Sequence, residues 1–196
     1  MRSVEVMLDR WIRALRPAAG PAENGEPALP AEIVLSIPPA LREHLEGGPP
    51  LLRTYDAFAR LFSSAKKSMK IFVPYVDPSF TALVALTQAP VRVLTTAGEG
   101  RGSRASPVLE RCATIRDVAV RYLSERRDRA LLYQMHAKML ISDGARAYVG
   151  SANMTDTSIH YNLELGLFLE HPEVVRRLER LFDVMYDRVG VPSRNL

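Results

Sequence analysis

Cysteine is almost missing from this chain of 196 residues, with Cys112 the single example. One thiol forms no internal disulfide, and a zinc site built on clustered cysteines is excluded. Cys112 is therefore expected to be an ordinary buried or half-buried residue. Long apolar runs are also missing: none approaches the roughly 20 residues that span a bilayer. The opening segment, MRSVEVMLDRWIRALRP, puts Glu5 and Asp9 where a secretory signal needs unbroken apolar sequence. No internal repeat is visible, so any active motif occurs once. These absences predict a cytoplasmic protein with no stable membrane association. The rest of the composition is ordinary, at 47% hydrophobic and 24% charged residues, enough for a core without covalent staples. The net charge of +4 is a mild bias towards a polyanionic partner.

Residues 3–16 predict an amphipathic helix, with Val4, Met7, Leu8, Trp11, Ile12 and Leu15 at near-helical spacing. Pro17 ends it, and residues 17–31 are a Pro/Ala/Gly-rich linker. The chain thus divides into an N-terminal helix and linker, 1–31, and a folded domain, 32–196. Within the domain a strand is expected over 32–39, then a short helix over 39–46 and a longer one over 51–67. Strands at 69–76 and 89–96 flank a helix at 78–88, which Pro78 starts well. A polar loop, 97–106, leads to a helix ending near Ile115 and a strand at 118–123. A charged turn at 125–129 precedes strands at 133–142, 145–151 and 162–170, and an amphipathic helix over 172–189 closes the chain. This alternation predicts an α/β fold: a mixed, largely parallel β-sheet with helices on both faces.

The chemistry concentrates in YQMHAKMLISDGARAYVGSANMT, residues 133–155. If 133–142 is one strand, His136 and Lys138 share a face, while Met135, Ala137, Met139 and Ile141 point into the core. An imidazole beside an ammonium suits an anionic substrate: the lysine neutralises charge while the histidine attacks or moves a proton. Asp143-Gly144 reads as a hairpin turn. Ser151 and Asn153 share a face if the extended run continues, and offer a hydroxyl and an amide to phosphate oxygens. Glu164, in the next strand, is placed to accept the second ring N–H of His136 and fix its tautomer. His160 lies in a loop close to these residues, whereas His44 and His171 read as ordinary helix or turn positions.

His136-x-Lys138, four residues and Asp143, followed by Gly150-Ser151-Ala152-Asn153 and Asn162-x-Glu164-x-Gly166, resembles the phospholipase D superfamily. The likeness is closest to small bacterial endonucleases with one motif per chain; it is strong over 133–170 and weak before that. The resemblance implies a phospholipase D-like fold and a metal-independent reaction without cofactors. It implies His136 as nucleophile, forming a phosphohistidine intermediate. Lys138 and Asn153 would hold the non-bridging phosphate oxygens, with Ser151 in support, Glu164 would orient a histidine, and Asp143 would be structural. Because that family uses two facing motifs, the resemblance implies a homodimer with His136 of each copy in one site.

The leading expectation is a nuclease acting on DNA or RNA, possessing no signal segment and therefore restrained by partner proteins, as in a phage-defence complex. Arg101 and Arg104, in the polar loop, are the candidates for contacting a nucleic-acid backbone. A phospholipid phosphodiesterase or phosphatidyltransferase is the alternative, since the motif reads a phosphodiester and not what is attached to it. A non-catalytic nucleic-acid-binding subunit ranks lower, because both His136 and Lys138 are present.

Overall fold

The computed structural model describes residues 31–41, 51–96, 105–127 and 130–192. The expected helix at 3–16, nearly all of the linker, and Arg101 and Arg104 lie outside the described residues. So does the short helix expected over 39–46, apart from a turn at 39–41.

Eleven strands and four α-helices follow one another in the described residues. The first part runs β1 (Ala31–Ser36), β2 (Leu52–Arg53), α1 (Thr54–Ser64), β3 (Met69–Phe72), α2 (Pro78–Ala85), β4 (Val91–Thr95) and α3 (Ala105–Ile115). Next come β5 (Val118–Tyr122), β6 (Ser124–Arg127), β7 (Ala130–Gln134), β8 (Met139–Ser142) and β9 (Arg146–Gly150). A wide π-type turn at Thr157–Tyr161 precedes β10 (Glu164–Leu169), α4 (Pro172–Val184), a second such turn at Met185–Val189, and β11 (Val191–Pro192). Nine strands form one sheet in the order β11-β5-β4-β3-β8-β9-β10-β1-β2, and β6 and β7 pair separately.

The sheet is mixed and helices cover both faces, as the sequence predicts. Its balance divides along the chain. β3, β4 and β5 are parallel and joined by helical crossovers. From β3 through β8, β9 and β10 to β1, every pairing is antiparallel. The division follows the sequence: helices separate the early strands, whereas the three-residue turn Asp143-Gly144-Ala145, its first two residues at positive φ, joins β8 to β9 directly.

Local chemistry sets several boundaries. α1 begins at Thr54 and not at 51, because Leu52 and Arg53 pair with β1. Its residues Ala57, Phe58, Leu61 and Phe62 fall on one stripe and are buried. α2 starts where Asp77 accepts from the Ser79 backbone N–H, with Pro78 in the first turn. The charged segment at 125–129 is not a simple turn: residues 124–127 and 130–134 form an antiparallel hairpin.

Two cores lie on the two faces. One packs α1, α2 and α3 on Val34, Ile71, Val93, Leu140, Tyr148 and Phe168. The other packs α4 on Phe72, Leu94, Met139, Ile141 and Ala147. All four residues of β8 are buried, because this central strand is covered on both sides. Cys112 belongs to the first core. Tyr148 stacks edge-on to Phe58 at 4.9 Å, and its ring lies over Gly150 and Gly166, which face each other across β9 and β10. A Cβ on either glycine would collide with that ring. The glycines of the GSAN and NxExG segments are thus packing requirements of Tyr148.

Candidate active site

The strand expected over 133–142 is broken. β7 ends at Gln134, β8 starts at Met139, and residues 135–138 have no regular pairing. Strict alternation therefore does not place His136 and Lys138: Met135 and Met139 are buried as expected, but Ala137 is exposed. The two side chains meet because Lys138 curls back. Its Nζ donates to the His136 carbonyl at 2.7 Å and lies 3.1 Å from Nδ1 of the ring. Lys138 is only 8% exposed while His136 is exposed, so the lysine forms the floor and the imidazole the rim. Burial pulls the Lys138 ammonium below its ordinary value, and the nearby Glu164 carboxylate works in the opposite direction.

His136, Lys138 and Ser151 line an open cleft of about 470 Å³, together with Phe72, Val149 and Leu181. Ser151 closes the end of β9: its backbone N–H donates to the Leu165 carbonyl and its hydroxyl accepts from the Leu165 N–H. That hydroxyl donates to Glu164 Oε2 at 2.5 Å. Asn162 Nδ2 donates to the other oxygen of Glu164 at 3.1 Å. The half-buried Glu164 is thus held by Ser151 and Asn162, with no hydrogen bond to His136 within the chain. The expected Glu164–His136 contact is not formed, because one carboxylate oxygen is taken by the Ser151 hydroxyl and the other by the Asn162 amide.

Ser151 and Asn153 part company. The regular strand ends at Gly150, so two-residue alternation does not carry through. Asn153 lines a second cavity beside Tyr75 and Asp77. Its Oδ1 is buried with no hydrogen-bond donor among the described residues. Tyr75 connects the two cavities, lining the second while its ring stands edge-on to His136 at 6.4 Å. Sequence reasoning passed over Tyr75. The available signal was its position just beyond the carboxyl end of β3, where open α/β sheets bind ligands. His160 is elsewhere, 3.9 Å from Asp156 and packed against Tyr55. His171 caps α4, accepting from the Val174 N–H.

Asp143 sits at the opposite end of β8 from Lys138, about 16 Å away by strand rise. Its carboxylate accepts from the backbone N–H groups of Lys66, Lys67 and Ser68. Burial pushes its pKa upward, but these donors and the Lys67 charge outweigh burial and hold it below the usual carboxylate range. Among the described residues, no three histidine, cysteine, aspartate or glutamate side chains converge as metal ligands. No described helix is long and apolar enough to cross a membrane.

Comparison with known proteins gives concordant results. The family described as cardiolipin synthase, PLD-like domain, matches residues 58–186. The probable cardiolipin synthase YwiE of Bacillus subtilis is 32% identical over 134 residues, 65% of this chain and 26% of its own length. The chain thus spans about a quarter of that relative. Among solved structures, NucT from Helicobacter pylori superposes with a TM-score of 0.62 at 16% identity, covering 83% of this chain and 99% of NucT. Nuc from Salmonella typhimurium, a phospholipase D family member, gives 0.57 at 17% identity, covering 83% of this chain and 97% of Nuc. At these identities the two structures speak for the fold.

Proposed function

The chain belongs to the cardiolipin synthase, PLD-like domain family, and on that premise we propose that it is a metal-independent phosphodiesterase acting on nucleic acid, with two copies completing one site. The observation that carries the proposal is the His136–Lys138 pair, in contact at 3.1 Å in an open cleft and continued by Ser151 and Glu164.

A ring nitrogen of His136 attacks phosphorus: an N–P bond forms and the P–O bond to the leaving group breaks. His136 of a second copy gives its proton to the departing oxygen. It then takes a proton from water, whose oxygen attacks phosphorus and frees the first histidine. Lys138 holds the non-bridging oxygens and Ser151 supports it, while Asn153, at the border of the neighbouring cavity, is assigned to them by the resemblance alone. Glu164 anchors the Ser151 hydroxyl, and its field opposes the burial that lowers the Lys138 ammonium. Asp143 has the structural role, clamping residues 66–68. Arg101 and Arg104 are assigned to the substrate backbone on sequence alone.

Three features support this reading. The motif occurs once in the sequence. The sheet face carrying α4 exposes Ile33, Leu165 and Leu167 in a patch continuous with Val149 of the cleft, a surface that a second copy would cover. The net charge of +4 favours a polyanion over a neutral partner. Restraint of the isolated activity by partner proteins, as in a phage-defence complex, extends the reading by analogy.

A phospholipid substrate is the second reading, favoured by the identity with YwiE and by the apolar residues Phe72, Met139, Leu178 and Leu181 around the cleft. The deciding experiment offers labelled single- and double-stranded DNA, RNA and phosphatidylglycerol vesicles to wild type and His136→Asn in excess EDTA. Nucleic-acid cutting should survive chelation and fall by at least about a thousandfold in the variant. Turnover of vesicles alone would establish the second reading, and loss of all turnover in EDTA would overturn the metal-free mechanism.

A further inference from the structure

The second cavity, of about 470 Å³, differs from the cleft in chemical character. Tyr75, Asp77, Asn153, Thr155, Thr157 and Asn162 contribute its polar lining. Among the described residues lining it there is no lysine, arginine or histidine. Asp77 adds a negative charge, and both its oxygens are already engaged, with the Ser79 and Asp156 N–H groups at 2.9 Å and 2.7 Å. A phosphate would meet repulsion here without a compensating cation.

Asn153 Oδ1 is the unused group. It is buried and receives no donor from the described residues, a state that is uncommon and unfavourable for a buried amide oxygen. Asn153 Oδ1 has almost no accessible surface, so the contacts open to a ligand come from the other polar residues of the lining, Thr155, Thr157 and Asn162 among them. Tyr75 offers a flat face or edge to an aromatic ring, and its own ring lies against His136. The cavity therefore begins where the proposed attack on phosphorus takes place. Its volume falls in the range of small-molecule sites.

We propose that this cavity is a nucleoside subsite: it takes the uncharged sugar–base unit next to the scissile phosphate, with the sugar among the Thr155, Thr157 and Asn162 side chains and the base against Tyr75. The division of labour is then explicit, with the anion in the His136–Lys138 cleft and its neutral neighbour in the Tyr75–Asn153 cavity. This inference rests on the nucleic-acid reading for its choice of ligand, but its test does not require turnover.

The test is an NMR titration of the ¹⁵N-labelled full chain with thymidine, with glycerophosphoglycerol and with inorganic phosphate. Thymidine should shift the backbone of 155–158 with saturation, and phosphate should leave those backbone signals in place. Val108→Trp, which fills the cavity from α3, should weaken the thymidine response at least tenfold while the rest of the spectrum stays dispersed. Thymidine shifts that are absent, that survive Val108→Trp, or that phosphate reproduces would overturn the proposal. So would stronger binding of glycerophosphoglycerol, which marks a lipid glycerol site. An inactive chain that still binds thymidine here would sink the phosphodiesterase reading and leave the subsite standing.

Discussion

The two faces of the sheet are finished differently. Under α1, α2 and α3 the closed face packs Phe58, Phe62, Phe80, Tyr148 and Phe168 with almost no exposure. On the other face α4 covers β3, β8 and the start of β9, fixed by Lys70, which reaches Glu179 at 2.8 Å and Asp183 at 2.9 Å. Beyond α4, β10 and β1 present Ile33, Leu165 and Leu167 to solvent, with Leu165 60% exposed. Both faces are built from the same alternating strands, so among the described residues the contrast arises from the single helix on the open side. An apolar sheet face left open beside the cleft is the surface that the proposed second copy would cover.

Substitutions on the two faces should separate stability from assembly. The largest effect is expected on the closed face: Phe58→Ala removes the ring packed on Tyr148 and should lower unfolding free energy by about 4 kcal/mol in urea titration. Leu165→Arg on the open face should leave stability within about 0.5 kcal/mol. It should nevertheless convert a dimer to a monomer in light scattering and lose at least about a hundredfold in turnover, or about 2.7 kcal/mol. A monomeric wild type, or an active monomeric Leu165→Arg, would break the comparison.

Asp143→Asn sharpens it at the turn that joins β8 to β9. The loss of charge-assisted bonds to residues 66–68 should cost about 2 kcal/mol at neutral pH. The folded carboxyl lies below its unfolded value, so this contribution is complete above the unfolded carboxylate range. It disappears as pH falls through the folded pKa, and the two urea midpoints should converge in acid. The smallest effect is a displacement of a pH profile. Lys138 is already lowered by burial and is supported by Glu164. If the ammonium is the active form, turnover falls as pH rises through the lowered Lys138 pKa. Glu164→Gln should move that alkaline limb to lower pH; an unmoved limb would remove Lys138 from the reacting charge balance.

How much of this was legible in the sequence depended on regularity. The helices α1, α2 and α4, the strand–helix alternation and the turn at Asp143-Gly144 follow from periodicity, Pro78 and turn chemistry. The parallel half was also legible, because helices separate its strands. The site departs where the backbone stops being regular. His136 and Lys138 meet through the backward curl of a lysine in residues 135–138, which no alternation rule describes. Ser151 and Asn153 diverge because β9 ends at Gly150, and Glu164 turns to Ser151 and Asn162 instead of His136. The role of the glycines depended on where the Tyr148 ring lies, a tertiary fact. The hairpin at 124–134 was hidden because charges in a strand that lies outside the main sheet resemble a solvated turn.

The central claim is that His136 becomes covalently bound to phosphorus. Its most direct measurement is rapid denaturing quench during turnover, followed by intact-mass and peptide analysis in the presence of EDTA. The account predicts a substrate-derived adduct on His136 that is stable in base and labile in acid, and that is missing from His136→Asn. Steady turnover with no adduct at any quench time, at full rate in His136→Asn, would contradict it.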